Sequence, residues 1–401
     1  MHFIKFIFFL LVWLTATPFF SFGQEQKLTP EKQLAAYVEN LDLLHKEHPN
    51  QRVMENLKFF LFGMGDRQKL IYQQGVLKDA KTGSVLKKWK VKKEVIVPSE
   101  YLVYLETADD KKIRIQENEK GVYVSEGSKS MPVSLSKLKL PDFKGYKYAP
   151  ILRTLHHEVL INVDEGLPVP NFFVYKKPWF RDAAIMGMVL KQTGNLHVIK
   201  DWIMQIRDPF DRNNHGISEA DNPGEVLFLI SLVSDKNHPA VKRTLDSVEQ
   251  FKKENFIEGK TDYAFHPVFQ TKWIKYGLKS LGLSDNYSIP KIYDSYSSLF
   301  WWDYKDQHVD GRRFEEGSSF NYPYLVWAED HFFGETKGIL SNQNYPLSWE
   351  SKASDAYYPG LEVLDNKLIA QKLSPPHTWH ASEMFLLLSE FKTPNKKTKQ
   401  Y

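Results

Sequence analysis

The chain has 401 residues, 42% of them hydrophobic and 25% charged, which excludes a disordered, collagenous or multi-span membrane protein. Lys and Arg number 53 against 49 Asp and Glu, a formal +4 with the basic residues scattered, so no nucleic-acid partner is indicated. With no cysteine, disulfides, thiolate metal sites, cysteine nucleophiles and a lipoprotein anchor are all excluded; the 27 Phe, 20 Tyr and 10 Trp supply flat rings that fill cores and also line sugar clefts.

In chain order, residues 1–23 read as a signal peptide. Lys5 precedes an apolar run over 6–14 that is short for a bilayer, and Ser21 and Gly23 fit the small-residue positions of a cleavage site before Gln24. The mature chain is therefore expected to be secreted or periplasmic, without membrane association after cleavage. Residues 24–149 form the next unit. Leu34, Val38, Leu41 and Leu44 predict one helix, and 54–62 a second that ends at Gly63 and Gly65. Short β-branched and aromatic runs at 70–72, 94–97, 101–105, 112–115 and 121–124, separated by turn clusters, then predict a small antiparallel β module confined to about 67–140.

From about 150 to 392 helical spacing dominates, with helices expected near 152–163, 182–193, 196–206, 223–233, 239–254, 265–281, 322–332 and 379–391. Several are apolar nearly all round, as in Val226-Leu227-Phe228-Leu229-Ile230, which places them inside a ring or bundle of others. Aromatic, Gly- and Pro-rich loops at 293–324 and 345–376 are where binding groups usually sit, and 393–401 reads as a disordered, solvated tail.

Three clusters carry chemistry. Trp179-Phe180-Arg181-Asp182 opens a helix; Asp182 there can cap the helix, but an aromatic plane, a guanidinium and a carboxylate together can also fork the hydroxyls of one sugar. Glu219, Asp221 and Glu225 lie within seven residues before and into an apolar helix, with Asn222-Pro223 as N-cap and N1. The helix dipole accounts for Glu225 well and for Glu219 poorly, and a carboxyl against apolar walls gains the raised pKa that a general acid needs. Glu362 and Asp365 form the third cluster with His377, Thr378, Trp379 and His380. The two histidines lack a clear third ligand, so no metal or other cofactor is assigned, and His377 and Trp379 are read as sugar contacts.

Together these segments resemble the glucoamylase-like six-hairpin glycosidases over roughly 150–391. In that family a Trp-x-Arg-Asp motif holds the terminal sugar, and Trp179, Arg181 and Asp182 match it. The family's general acid precedes an inner helix, a place taken by Glu219, and its base stands seventeen residues before a Thr-Trp pair, as Glu362 does before Trp379. Ser218 and Leu361 replace the family's aromatic and Gly residues. The resemblance implies a mainly α fold, an (α/α)6 toroid carrying the β module. It also implies an inverting glycoside hydrolase acting on an oligo- or polysaccharide, with Glu219 as acid, Glu362 as base and Asp221 among the sugar contacts. A polysaccharide lyase and a non-catalytic carbohydrate-binding protein are the alternatives; the sugar, the linkage and the oligomeric state are left open.

Overall fold

A computed structural model describes residues 28–47, 59–173, 175–212, 216–292 and 378–393. The signal peptide, the helix expected at 322–332, both aromatic loops, Glu362 and His377 lie outside them, as does nearly all of the expected tail.

Two antiparallel meanders make up the first half. β1 (Phe59–Phe62), β2 (Leu70–Gln73), β3 (Val76–Asp79) and β4 (Val85–Lys88) pair in sequence order. β5 (Val91–Val97), β6 (Leu102–Thr107), β7 (Lys112–Asn118), β8 (Gly121–Glu126) and β9 (Lys129–Leu135) do the same. Alternation sets the faces of the second sheet: Val103, Leu105, Ile113, Ile115, Val122 and Val124 enter the core, whereas Tyr104, Arg114, Tyr123 and Ser125 face away. Helix α1 (Pro30–Glu47) buries Tyr37, Leu41 and Leu44, the spacing expected of it, and packs against β5.

Helices follow: α2 (Ala149–Ile161), α3 (Phe180–Thr193), α4 (Lys200–Met204), α5 (Asn222–Val233), α6 (Pro239–Val248), α7 (Pro267–Ser280) and α8 (Thr378–Leu388). They pack in the order α2, α8, α3, α5, α7, with α6 also on α5. Gly224 and Gly277 let α5 and α7 touch backbone to backbone: a Cβ on Gly224 would sit 2.5 Å from Ile274 N, and one on Gly277 2.5 Å from Gly224 O. The contact between α3 and α5 is made by side chains, with Leu232 over Gly187.

One hydrophobic core runs through sheets and helices alike. At the junction the buried His157 ring of α2 stacks on Phe60 (4.9 Å) and Tyr101 (5.6 Å), and its Nε2 meets the Leu61 carbonyl at 2.9 Å. Burial pushes His157 down to about 4, so the ring packs as a neutral aromatic. Beside it, Glu117 of β7 accepts from Gly63 N, Met64 N and Arg67 Nη1 at 2.8–2.9 Å, and Arg67 spends its other N–H groups on the carbonyls of Ser136 and Glu119. Lys69 Nζ donates to Gly63 O and Gly65 O; burial lowers its pKa to about 7.

The mainly α (α/α)6 toroid is overturned. The structure is mixed, 39% helical and 24% strand, with five antiparallel sheets among the described residues. Strands are also not confined to 67–140. β1 precedes that interval, and three two-stranded ribbons follow it: β10 (Val163–Asp164) with β11 (Leu167–Pro168), β12 (Lys252–Lys253) with β13 (Phe256–Ile257), and β14 (Lys260–Thr261) with β15 (Ala264–Phe265). The helix expected to reach 62 gives way to β1, because all four residues Phe59–Phe62 are buried, and an apolar run covered on both faces has no period to separate strand from helix. The helices expected at 239–254 and 265–281 end or start several residues inward, where β12 and β15 take over.

Candidate functional site

The second half is organised around one side chain, Arg181. It stands in the first turn of α3 and is 5% exposed. Its Nη2 meets Glu219 Oε2 at 3.2 Å, its Nε meets Asp221 Oδ2 at 3.0 Å and, more loosely, Glu225 Oε1 at 4.0 Å, and its Nη1 meets Asp262 Oδ2 at 2.5 Å. The Trp379 ring of α8 lies 5.9 Å from Cζ, within range of a cation–π contact.

Local structure explains why these carboxylates converge. Asp211 Oδ2 accepts the Phe180 amide at 2.7 Å, so a residue from outside the helix serves the α3 N-terminus. Asp221 precedes α5, but its carboxylate leaves the helix end alone and instead binds Arg181 and the Thr261 hydroxyl (2.8 Å). Asn222, expected as N-cap, turns its Nδ2 to Glu225 Oε2 at 3.1 Å. The β14–β15 hairpin is held by Gln270 of α7, which bonds Gly259 and Thr261, and by Ala220 N to Lys260 O. Its turn residues Asp262 and Tyr263 have φ of +51° and +88°, the two left-handed positions of a type I′ turn. That turn aims Asp262 at Arg181 and presents its backbone N–H to Glu219 Oε1 at 2.6 Å.

Carboxyl groups crowd one guanidinium here. Burial alone would lower the Arg181 pKa, but Asp221, Asp262, Glu219 and Glu225 hold it well above its ordinary value. Burial, then the charge of Asp221, pushes Glu225 well up. Asp182 is 4% exposed; burial carries it to about 7, against the opposing pull of Arg181. Glu383 of α8 is raised by burial and by Asp182, and its Oε1 has no hydrogen-bond partner among the described residues. Among the described residues the carboxyl groups of Glu219, Asp221 and Asp262 share the one Arg181 guanidinium.

Of the residues singled out from sequence, Arg181, Asp182, Glu219, Asp221 and Trp379 come together. Trp179 stands at the start of α3, edge-on to Tyr175 at 5.2 Å. Glu362 and His377 are outside the described residues. Asp262, Thr261, Gln270 and Glu383 were missed. An Asp-Tyr turn lacks the Asn-Gly signature that announces a hairpin, and Glu383 reads as an ordinary polar position of an otherwise apolar helix. Among the described residues no group of three or more His, Asp or Glu is arranged to hold a metal ion, and no helix is long and apolar enough to cross a membrane.

No protein-family model, curated protein or solved structure matches this chain.

Proposed function

We propose that the protein is an exported glycoside hydrolase that cleaves an oligo- or polysaccharide with a pair of carboxyl groups. The observation that carries this reading is the convergence of Glu219, Asp221, Glu225 and Asp262 on the buried Arg181, beside the ring of Trp379. Glycosidic cleavage passes through an oxocarbenium-like, positively charged transition state, and fixed carboxylates in a poorly solvated site stabilise such a charge as it develops.

In this reading Glu219 lies in the cluster and Glu362 is the second carboxyl, one protonating the leaving oxygen and the other activating water. Asp182, titrating near 7, offers a store of exchangeable protons one residue from Arg181. The lyase alternative must neutralise a uronate at the reacting centre, and Arg181 is already engaged by Glu219, Asp221 and Asp262.

Purified mature protein incubated with a panel of α- and β-linked oligosaccharides, with products resolved by thin-layer chromatography, tests the proposal. Release of a reducing sugar that is lost in both Glu219→Gln and Glu362→Gln supports it. Product carrying ultraviolet absorbance from a new double bond would return the lyase, and ligand binding without turnover would return the binding protein.

A further inference from the structure

The outward face of the five-stranded sheet carries a second feature that the Arg181 cluster does not explain. Across β6, β7 and β8, Tyr104 stands opposite Arg114 and Arg114 opposite Ser125, so a phenol, a guanidinium and a hydroxyl form one row. This row floors a groove of about 460 Å³, walled by Glu106 and Lys112 and by Glu31 at the start of α1. The volume is that of a small-ligand cleft.

Arg114 differs from the more deeply placed arginines. Arg67, Arg153 and Arg181 commit their terminal nitrogens to carbonyls and carboxylates. Arg114 gives its Nε to Gln116 Oε1 at 2.9 Å, and its two terminal NH2 groups have no hydrogen bond or ion pair among the described residues. The neighbouring acids are engaged elsewhere: Glu31 with Lys93 at 2.6 Å, Glu106 with the Tyr104 hydroxyl at 3.3 Å, and Glu100 with Arg153 at 3.7 Å. A half-buried guanidinium with a free fork fits a ligand carboxylate, which it can take through two parallel N–H bonds. The adjacent Tyr104 ring suits the C–H face of a pyranose, and Ser125 and Lys112 can meet its hydroxyls.

We propose that this groove binds an acidic sugar unit, a uronate residue of a saccharide chain, at a site separate from the Arg181 cluster. The choice of a saccharide over other carboxylates rests on the proposed function; the demand for a carboxylate rests on Arg114.

Isothermal titration calorimetry of the full chain with a short galacturonate oligosaccharide, and with its carboxyl-reduced neutral counterpart, provides the test. The acidic sugar should bind at least roughly tenfold more tightly, and added salt should narrow the gap. Arg114→Gln should abolish the preference, Arg114→Lys should keep only part of it because it retains charge without the fork, and Tyr104→Ala should weaken both ligands. Circular dichroism of each variant confirms that its fold is intact. Equal binding of the two sugars, no binding of either, an affinity unchanged in Arg114→Gln, or equally tight binding of a glutamate-rich peptide would overturn the proposal. Because the readout is binding and not product release, loss of the hydrolase reading and loss of this one are separate results.

Discussion

Two buried arginines show opposite uses of the same side chain. Arg67 faces one carboxylate, Glu117, and the pair's other hydrogen bonds run to backbone: two amides on Glu117 and two carbonyls on Arg67. One cation meets one anion and each is further hydrogen-bonded, which is how a buried ion pair serves as a rivet between β7 and the β1–β2 loop. Arg181 faces four carboxyl groups, and burial raises the pKa of two more nearby, Asp182 and Glu383. One guanidinium shared by so many carboxyl groups exceeds what a structural ion pair needs, and that directs attention to chemistry there.

The comparison can be broken by removing each cation. Arg181→Met should cost about 5 kcal/mol and Arg67→Met about 3, since the first leaves several carboxylates uncompensated and the second leaves one that still has two amide donors. Urea unfolding at neutral pH measures both, and equal losses would mean that the additional carboxyl groups around Arg181 are not felt. At pH 4 the Arg181→Met deficit should shrink as its orphaned carboxylates take up protons.

A second expectation separates function from folding. Glu219→Gln and Glu362→Gln should each lower turnover roughly a hundredfold or more while changing unfolding free energy by no more than about 1 kcal/mol. Matching losses of activity and stability would reduce Glu219 to a second rivet.

Asp182 sharpens the comparison through pH. Its folded pKa of about 7 lies above its ordinary value of 3.8, so between those limits the folded state binds a proton that the unfolded state has released. Stability from this group is therefore complete below pH 4, falls as pH rises toward 7 and is flat beyond. Asp182→Asn should remove that slope and leave the variant more stable than the parent at pH 8 by about 4 kcal/mol, with no difference near pH 3.5. Denaturation curves across that range would show parallel profiles if Asp182 ionises normally.

The smallest effect concerns the hairpin turn. Tyr263 at φ +88° occupies a conformation natural to glycine, so Tyr263→Gly should stabilise the chain by no more than about 1 kcal/mol, the relief of strain being partly offset by a freer unfolded state. A fall in melting temperature would show that the exposed ring is packed for stability.

Legibility in the sequence followed periodicity. α1, α3 and α5 and the strands β6 to β8 were readable because one face is apolar or the whole helix is, and chain-neighbour pairing makes a meander from such strands. β1 was not, since full burial erases alternation, and the two-residue ribbons are too short to have any period. At the site, Arg181 and Asp182 stood out as a guanidinium and a carboxylate beside an aromatic at one helix start, and Glu219 and Asp221 as members of a run of three carboxylates within seven residues. Asp262 depends on a turn whose residues carry no sequence signal, and Glu383 on a helix packing that only the third dimension supplies.

The glycine contact between α5 and α7 has a mechanical consequence. Side chains can slide and repack, whereas backbones in direct contact leave no play, so the two helices move as one body. That body carries Asp221 and Glu225 on α5, and it carries Asp262 through the hairpin that Gln270 anchors to α7. Arg181 rides on α3, across a seam of interdigitated side chains. Any widening of the site must therefore run along that seam, and the single guanidinium is its clasp.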